Sequence, residues 1–287
     1  MKVVFISMGI WEILKQRQAY FPYKPVSLLK GLVLKHLKGW KSDSQLVREL
    51  RANRGLAWSC GFKKRIPNRT TFERFIQRIG DQFEHLFNSI VLKLKELGVI
   101  KAETVAIDST HLNAYSRKRK NKQASDPDAT MGCKRKDKFF FGYKSHVLSD
   151  TATELPIAVH ISTGRDHDSQ HAVALIEKAN KLFHHISTYL ADAAYNASYI
   201  LDCIIHHQGK PIIDYANREI PLPVEYKQRT SIERINSRSK ESFSLNKLKV
   251  RGIQRVAQHC MLCYISMLYN ALAAALTQKS TIRSTPQ

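Results

Sequence analysis

The stretch Glu225–Lys240, EYKQRTSIERINSRSK, contains four polar residues at regular spacings. On an α-helix, at about 100° per residue, Tyr226, Arg229, Glu233 and Lys240 fall within an arc of about 60°. The apolar side chains of this region point roughly the other way; they are Ile232, Ile235 and Phe243. A carboxylate flanked by cations suits a place where metal and phosphate meet. An ordinary amphipathic surface helix with salt bridges has the same pattern.

Two upstream segments each end an apolar, strand-forming run with an aspartate. TVAIDST (104–110) contains Asp108, and ISTYLADAAY (186–195) contains Asp192. With Glu233, these two strand-terminal aspartates make a set of three carboxylates. Mg²⁺ and Mn²⁺ prefer such hard oxygen ligands. Either aspartate alone is more simply interpreted as a turn residue or a helix N-cap.

Other acids compete for the second carboxylate position. Asp168 precedes a helical pattern and is predicted to be an N-cap. Asp214 ends the strand-like run PIID and is the strongest rival on physical grounds. The remaining competitors are Asp150 and Asp166.

At these residues the chain resembles a known family, the prokaryotic insertion-sequence transposases of the DDE, RNase H-like kind. The family signature Y-x2-R-x3-E-x6-K is matched by Tyr226, Arg229, Glu233 and Lys240. The first two catalytic carboxylates of the family match Asp108 and Asp192, and this match favours Asp192 over Asp214. The likeness extends over nearly the whole chain. It includes the runs FFFGYKSHVLSD (139–150), whose Lys144 is expected to contact DNA, and ELPIAVHIST (154–163).

The resemblance implies a transposase that cuts DNA at the terminal inverted repeats of an element and joins the ends to target DNA. It implies two Mg²⁺ or Mn²⁺ ions, about 3.5–4 Å apart in such sites. Asp108 would bridge them, and Asp192 and Glu233 would each hold one. Arg229 and Lys240 would bind phosphate, while Tyr226 would donate a hydrogen bond to phosphate or stack on a base. Two element ends need two active sites, so a homodimer on DNA is expected.

The composition favours a polyanionic partner independently of the resemblance. Lys and Arg number 46 against 24 Asp and Glu, so the net charge is +22. Phosphate contacts would make DNA binding fall steeply with salt. Two alternatives share this charge: a non-catalytic DNA-binding protein derived from a transposase, and an RNase H-like nuclease that cuts without joining.

The pattern along the chain predicts an α/β protein with three regions. Residues 1–100 are predicted to be a helical N-terminal DNA-binding domain. Residues 101–278 are predicted to be an RNase H-like mixed sheet with flanking helices, and residues 279–287 a tail. The predicted strands lie near 103–108, 140–149, 155–162, 186–191 and 211–215. The predicted helices of this domain lie near 168–182, 196–208, 226–241 and 254–278.

Several basic segments are candidates for DNA contact. In the N-terminal region, Ser42–Ser44 can cap one helix, and Thr70 and Glu73 match an S/T-x-x-E capping box that would open another. Arg69 and Arg74 remain available to DNA on this second helix, which resembles a helix-turn-helix reader. The runs Arg117–Lys122 and Lys134–Lys138 are predicted to be basic loops beside Asp108.

The cysteine usage and hydropathy favour a cytoplasmic protein, and the resemblance implies one that is associated with the nucleoid of a prokaryote. The five cysteines have no disulfide framework spacing. Cys260 and Cys263 with His259 suggest a metal site, but the apolar run around them predicts a buried helix and core packing. No run of 18 apolar residues is present, so no membrane span is expected.

Overall fold

The computed structural model describes residues 22–80, 82–117, 124–135, 138–215 and 221–277. The chain divides into two units. The first comprises Met1–Leu94, Ser239–Lys249 and Gln258–Gln287, and the second comprises Lys95–Arg238 and Val250–Ala257. The first unit thus combines the N-terminal helices with two segments from the C-terminal part of the chain. The predicted tail 279–287 lies outside the described residues.

The N-terminal part of the first unit is helical, as the apolar periodicity predicts. Its helices are α1 (Pro25–Leu37), α2 (Asp43–Ala52), α3 (Arg54–Cys60), α4 (Arg69–Ile79) and α5 (Gln82–Glu96). Ser42 caps α2 by accepting a hydrogen bond from the Gln45 amide, which confirms the predicted cap. Gly61 ends α3 with a φ of 97°, a left-handed conformation that favours glycine. The aromatic rings of Phe62 and Phe72 then pack edge to face in the core.

The predicted capping box at Thr70 and Glu73 is wrong. Helix α4 begins at Arg69, so Thr70 lies inside its first turn, and Asn68 takes the N-cap position without a side-chain capping bond. The Asn68 side-chain oxygen instead accepts a hydrogen bond from Arg51 at 2.8 Å. Glu73 pairs with Arg69 at 2.9 Å on the exposed face of the helix. The Asn68 side chain therefore bonds to Arg51 of α2 instead of capping α4.

The second unit is built on a mixed sheet of six strands with flanking helices, which confirms the predicted α/β class. The strands are β1 (Thr104–Asn113), β2 (Thr130–Arg135), β3 (Lys138–Asp150), β4 (Leu155–Thr163), β5 (Thr188–Ala191) and β6 (Lys210–Ile213). Strand β3 is antiparallel to β1, β2 and β4, whereas β5 is parallel to both β1 and β6. Helices α6 (Ala172–Leu182) and α7 (Ser198–His206) connect β4 to β5 and β5 to β6.

Strand β2 is an addition to the predicted set of strands. Residues 138–142 of β3 pair with β2, and residues 143–150 pair with β4. The Lys134–Lys138 segment is therefore not the simple loop that its charge predicts, since residues 134 and 135 belong to β2 and residue 138 begins β3. Of the other predicted basic loop, residues 118–122 lie outside the described residues.

Parallel pairing determines where the ends of three strands meet. Strands β1, β5 and β6 run in the same direction, so residues that follow β5 and β6 lie at one edge of the sheet. The segment Val224–Arg229 forms a 3₁₀ helix, and α8 (Thr230–Glu241) follows it directly. Helix α8 is attached to the sheet through Glu154, at the start of β4, whose carboxylate binds Arg234 at 2.8 Å.

We expect Glu154→Gln to destabilise the second unit by about 2 kcal/mol, because the side chain of Glu154 is 6% exposed and the paired Arg238 is 11% exposed. Loss of one partner leaves the other charge buried and uncompensated. Urea unfolding followed by circular dichroism measures the change. The exposed Glu225 on the 3₁₀ segment gives the matched control, and Glu225→Gln should change stability by less than about 0.5 kcal/mol. Equal stability of the two variants would contradict a structural role for this ion pair.

The last helix, α9 (Ile253–Leu276), is long and apolar enough to cross a membrane by length and composition. Within its most apolar window, 61% is buried inside the protein. Cys260 and Cys263 are both fully buried on this helix, as the prediction of a buried helix requires. Burial of this extent is typical of the core helix of a globular protein.

Candidate active site

Asp108 and Asp192 lie side by side on neighbouring parallel strands. Ala106 of β1 pairs with Leu190 of β5, and two further residues along each strand bring the two aspartates level. Asp192 follows the last residue of β5, as predicted. Asp108 is not strand-terminal, because β1 continues to Asn113 through its antiparallel pairing with β3. The two carboxylates therefore meet where the short strand β5 ends beside the middle of the long strand β1.

The surroundings of these carboxylates disfavour their negative charge. Burial, followed by the charges of Asp192 and Asp168, raises the pKa of Asp108 to about 7, against opposing effects of the Ser109 amide and Arg229. Burial also raises the pKa of Asp192, with further contributions from Asp168 and Asp214. The Ala194 amide donates to Asp192 at 3.0 Å, so this aspartate also caps a short 3₁₀ turn. A bound cation would relieve the repulsion that these acids exert on one another.

The four signature residues do not share one α-helical face. Tyr226 and Arg229 lie on the 3₁₀ segment, and the α-helix begins only at Thr230, ahead of Glu233. The tighter 3₁₀ turn still brings Arg229 within 2.7 Å of Glu233. The Arg229 guanidinium also lies 5.8 Å from the centre of the Tyr226 ring. The prediction of a single polar arc was therefore wrong in geometry, although Arg229 and Glu233 are in contact.

Asn236 brings helix α8 to the strand carboxylates. Its side-chain amide donates to Asp108 Oδ2 at 3.0 Å. Glu233 precedes Asn236 by three residues, a rise of about 4.5 Å on the same face of an α-helix. Glu233 is the most exposed of the three acids, with 55% of its side chain accessible. The contact from Asn236 therefore places the face that includes Glu233 against Asp108.

The guanidinium group of Arg229 interacts electrostatically with all three carboxylates. Burial alone would lower its pKa, but Tyr226 and the surrounding acids, which include Glu233, Asp108 and Asp192, together raise it. Its side chain is 19% exposed. The negative charges of the site therefore stabilise the protonated form of Arg229, which provides a positive charge at the edge of the site.

The sequence pattern did not predict the contacts that Asp168, Lys144 and Tyr195 make around the site. Asp168 is not the N-cap of a helix as predicted; it begins a 3₁₀ turn and pairs with Lys144 at 2.8 Å. Lys144 also donates to the Asp166 carbonyl at 2.8 Å, so its ammonium already has two partners. The phenol of Tyr195 is buried, and after burial the charge of Asp108 is the largest cause that raises its pKa. The sequence indicates that Tyr195 lies near the site only through its position, three residues after Asp192.

Asp214 lies level with Asp192 on the next strand. Ala191 of β5 pairs with Ile213 of β6, and one further residue on each strand brings the two acids side by side. The Asp214 amide donates to the Ala191 carbonyl at 3.2 Å, which extends the pairing. Asp108, Asp192 and Asp214 thus form a row across three strands, with Asp192 in the middle.

The remaining DNA-binding candidates belong to the first unit. Arg69 and Arg74 are both exposed on α4. Lys240 lies on α8 two turns after Glu233, in the part of the helix that belongs to the first unit. Their contact with DNA remains a prediction.

Two protein-family models match this chain. A model described as a transposase DDE domain matches residues 100–270, and one described as a transposase domain (DUF772) matches residues 14–78. A search of curated proteins found no match.

The solved structures that are similar to the chain include two transposase complexes and one integrase domain. The piggyBac transposase synaptic complex with hairpin DNA is 12% identical, with 98% of this chain and 74% of that chain covered and a TM-score of 0.46. The catalytic core domain of BIV integrase is 10% identical, with 62% and 98% covered and a TM-score of 0.37. The Mos1 mariner paired-end complex with Mn is 11% identical, with 81% and 77% covered and a TM-score of 0.28.

Proposed function

Since this chain belongs to the DDE transposase family, whose members are metal-dependent enzymes that act on DNA, we propose that Asp108, Asp192 and Glu233 are its catalytic carboxylates. The observation that carries this assignment is the contact of Asn236 with Asp108, which brings the Glu233 face of α8 to the paired strand aspartates. The raised pKa values of Asp108 and Asp192 support it, because acids that repel one another fit a cation site.

The donor set fits Mg²⁺ or Mn²⁺. The proposed ligands are carboxylate oxygens supplied by β1, the end of β5 and α8, and such hard ligands suit these cations. We infer that Asp108, Asp192 and Glu233 would together hold two such ions. The bound ions would supply Lewis-acid activation of the attacking hydroxyl and neutralise charge at the scissile phosphate.

The protein residues around the carboxylates would then position the DNA. Asn236 fixes Asp108 through Oδ2, and Arg229 fixes Glu233 through Oε1. When DNA enters, Arg229 and Lys240 would bind phosphate oxygens near the scissile bond. Tyr226, whose ring already lies beside Arg229, could donate a hydrogen bond to phosphate or stack on a base.

The reaction is a pair of phosphoryl transfers. Water attacks the phosphorus at the element boundary, and the 3′ oxygen leaves as a 3′-hydroxyl. That hydroxyl then attacks a target phosphodiester, so one bond forms as the target strand breaks and releases its own 3′-hydroxyl. We infer that the substrates are the terminal inverted repeats and target DNA, and that a homodimer on the nucleoid DNA of a prokaryote brings two ends together.

We expect wild-type protein to cut a labelled duplex that carries the terminal repeat of its own element, in Mg²⁺ or Mn²⁺ but not with chelator. Asp108→Asn should bind the same duplex and reduce cutting by about 10³-fold or more, because it removes a charged ligand from the site. Circular dichroism provides the control for folding.

The outcomes distinguish the alternatives. Binding without cutting by the wild type in either metal would indicate a DNA-binding protein without catalysis. Cutting with no joining of pre-cut ends would indicate a nuclease. Equal cutting by the wild type and Asp108→Asn would overturn the assignment of Asp108.

A further inference from the structure

A second group of metal-ligating side chains lies within the first unit and shares no residue with the carboxylate site. It consists of His36 on α1 together with His259 and Cys263 on α9. His36 and Cys263 are fully buried, and His259 is partly buried. One potential ligand atom from each residue lies within 4.8 Å of the other two. Three soft or borderline ligands therefore converge inside a unit that is otherwise a helical core.

The distances in this cluster match those of a tetrahedral zinc site. With Zn–N near 2.05 Å and Zn–S near 2.3 Å, a tetrahedral angle separates a nitrogen from a sulfur ligand by about 3.6 Å. Cys263 Sγ lies 3.3 Å from His36 Nδ1 and 3.7 Å from His259 Nε2. Both distances thus lie within 0.3 Å of the value that a shared metal requires. The two imidazole ring centres are 5.3 Å apart at an angle of 66°, so the rings do not stack.

The segment between α8 and α9 adds backbone oxygen to the cluster. The Phe243 carbonyl lies 3.0 Å from His36 Nδ1, and the Ser244 carbonyl lies 3.1 Å from His259 Nε2. Ser244 has a φ of 64°, in the left-handed region that residues other than glycine rarely adopt. This backbone conformation brings two successive carbonyls to the nitrogens on which a metal would bind. One of these oxygens, or a water molecule, could complete four ligands.

We propose that His36, His259 and Cys263 form a structural site for Zn²⁺ or a similar borderline-soft divalent ion. The ligands differ in kind from the carboxylates, since imidazole and thiolate select zinc over Mg²⁺. The proposal does not depend on the assignment of the catalytic carboxylates. Spacing on α9 supports it further, because residues 259 and 263 are separated by one helical turn and so project to the same side.

Metal binding here requires one deprotonation and two tautomer changes. The Cys263 thiol must lose its proton, which is released to solvent when the metal–sulfur bond forms. In the metal-free protein, His36 Nδ1 and His259 Nε2 donate to the two carbonyls, so each ring must move its proton to its other nitrogen. Among the described residues, His36 Nε2 is buried without a hydrogen-bond partner. The cost of one unsatisfied N–H is much smaller than the binding free energy of a structural zinc site.

The positive charge of Lys35 does not prevent a cation from binding to the cluster. Lys35 precedes His36 on α1, and its ammonium pairs with Asp43 at 2.8 Å. The Lys35 side chain is 9% exposed. Its charge is therefore balanced by a carboxylate, and a thiolate at Cys263 would add a second negative charge to the neighbourhood. A site at this position would join α1, the 242–245 segment and α9.

The test is the metal content and cobalt spectrum of the full-length protein, purified without chelator. We expect about one zinc per chain by elemental analysis. After removal of the zinc and titration with Co²⁺, thiolate-to-cobalt charge-transfer and tetrahedral ligand-field bands should saturate at about one equivalent. Cys263→Ser should lose the charge-transfer band, and His259→Gln should weaken cobalt binding by about tenfold or more. Cys260→Ser is the matched control, since Cys260 is equally buried on the same helix, and it should keep the full spectrum.

Two results would overturn the proposal. One is a wild-type protein that holds less than about a tenth of an equivalent of zinc as purified and shows no cobalt–thiolate band on titration. The other is a band that survives in Cys263→Ser and disappears in Cys260→Ser. The wild-type titration decides the question even where Cys263→Ser fails to fold. Because Mg²⁺-dependent cutting is measured separately, the loss of this site would leave the catalytic assignment untouched.

Discussion

Asp192→Asn should reduce DNA cleavage by about 10³-fold or more, whereas Asp214→Asn should cost about tenfold or less. The two acids follow adjacent parallel strands and lie level with one another. Asp192 lies between Asp214 and Asp108, and its charge is among the main causes that raise the pKa of Asp108, whereas the charge of Asp214 is not. We therefore expect Asp192 and Asp108 to bind a common metal ion. We expect Asp214 to affect the site only through its negative charge.

The measurement is single-turnover cleavage of the terminal-repeat duplex in Mg²⁺, with Asp192→Asn and Asp214→Asn prepared in parallel. Each substitution removes one negative charge at the same edge of the sheet, so each variant is the matched control for the other. DNA binding by both variants should equal or exceed that of the wild type, because a negative charge near phosphate is lost. Greater loss in Asp214→Asn would mean that the second carboxylate of the site is Asp214.

The sequence predicted those parts of the fold that depend on local pattern and strand direction. Alternating strand and helix signals predicted the mixed sheet, and the parallel pairing of β1 with β5 brings Asp108 and Asp192 together as expected. The periodicity of the N-terminal region predicted its helices, and Ser42 was recognised as a cap because capping depends only on residues within one turn.

Features determined by distant residues were not predictable in this way. The sequence pattern suggested that β1 ends near Asp108, yet pairing with β3 extends it to Asn113. Asp168 has the local context of an N-cap, but Lys144 on β3 binds its carboxylate. The 3₁₀ turn that carries Arg229 was missed because the spacings of the signature residues also fit an α-helix.

The same limit applies to both candidate sites. Asn236 is 128 residues from Asp108 in the chain, and only the fold brings its amide to the carboxylate. His36 is 227 residues from Cys263, so the apolar run around the α9 cysteines, considered without His36, favoured core packing. The spacing of residues within one helix or strand can therefore identify the site residues on that element. It does not identify the residue, distant in the chain, that completes the site.

We expect Asp108→Asn to be more stable than the wild type at pH 8 without divalent metal, by about 2 kcal/mol. One pKa unit is worth about 1.4 kcal/mol, and the estimate is reduced because the carboxylate is partly exposed. Burial raises the pKa of Asp108 from 3.8 to about 7 in the folded protein. Between these values the unfolded chain loses the proton while the folded protein keeps it, so the unfolded state binds fewer protons and stability falls as the pH rises.

Asparagine removes this penalty while its amide oxygen can still accept the hydrogen bond from Asn236. Thermal unfolding in chelator should therefore show Asp108→Asn about 4–8 °C above the wild type at pH 8, with little difference at pH 4. Asp202→Asn, at an exposed position on α7, should change stability by less than about 0.5 kcal/mol at either pH. Addition of Mg²⁺ at pH 8 should stabilise the wild type and leave the variant unchanged. A variant less stable than the wild type at pH 8 in chelator would show that the Asp108 charge is well solvated and does not need a cation.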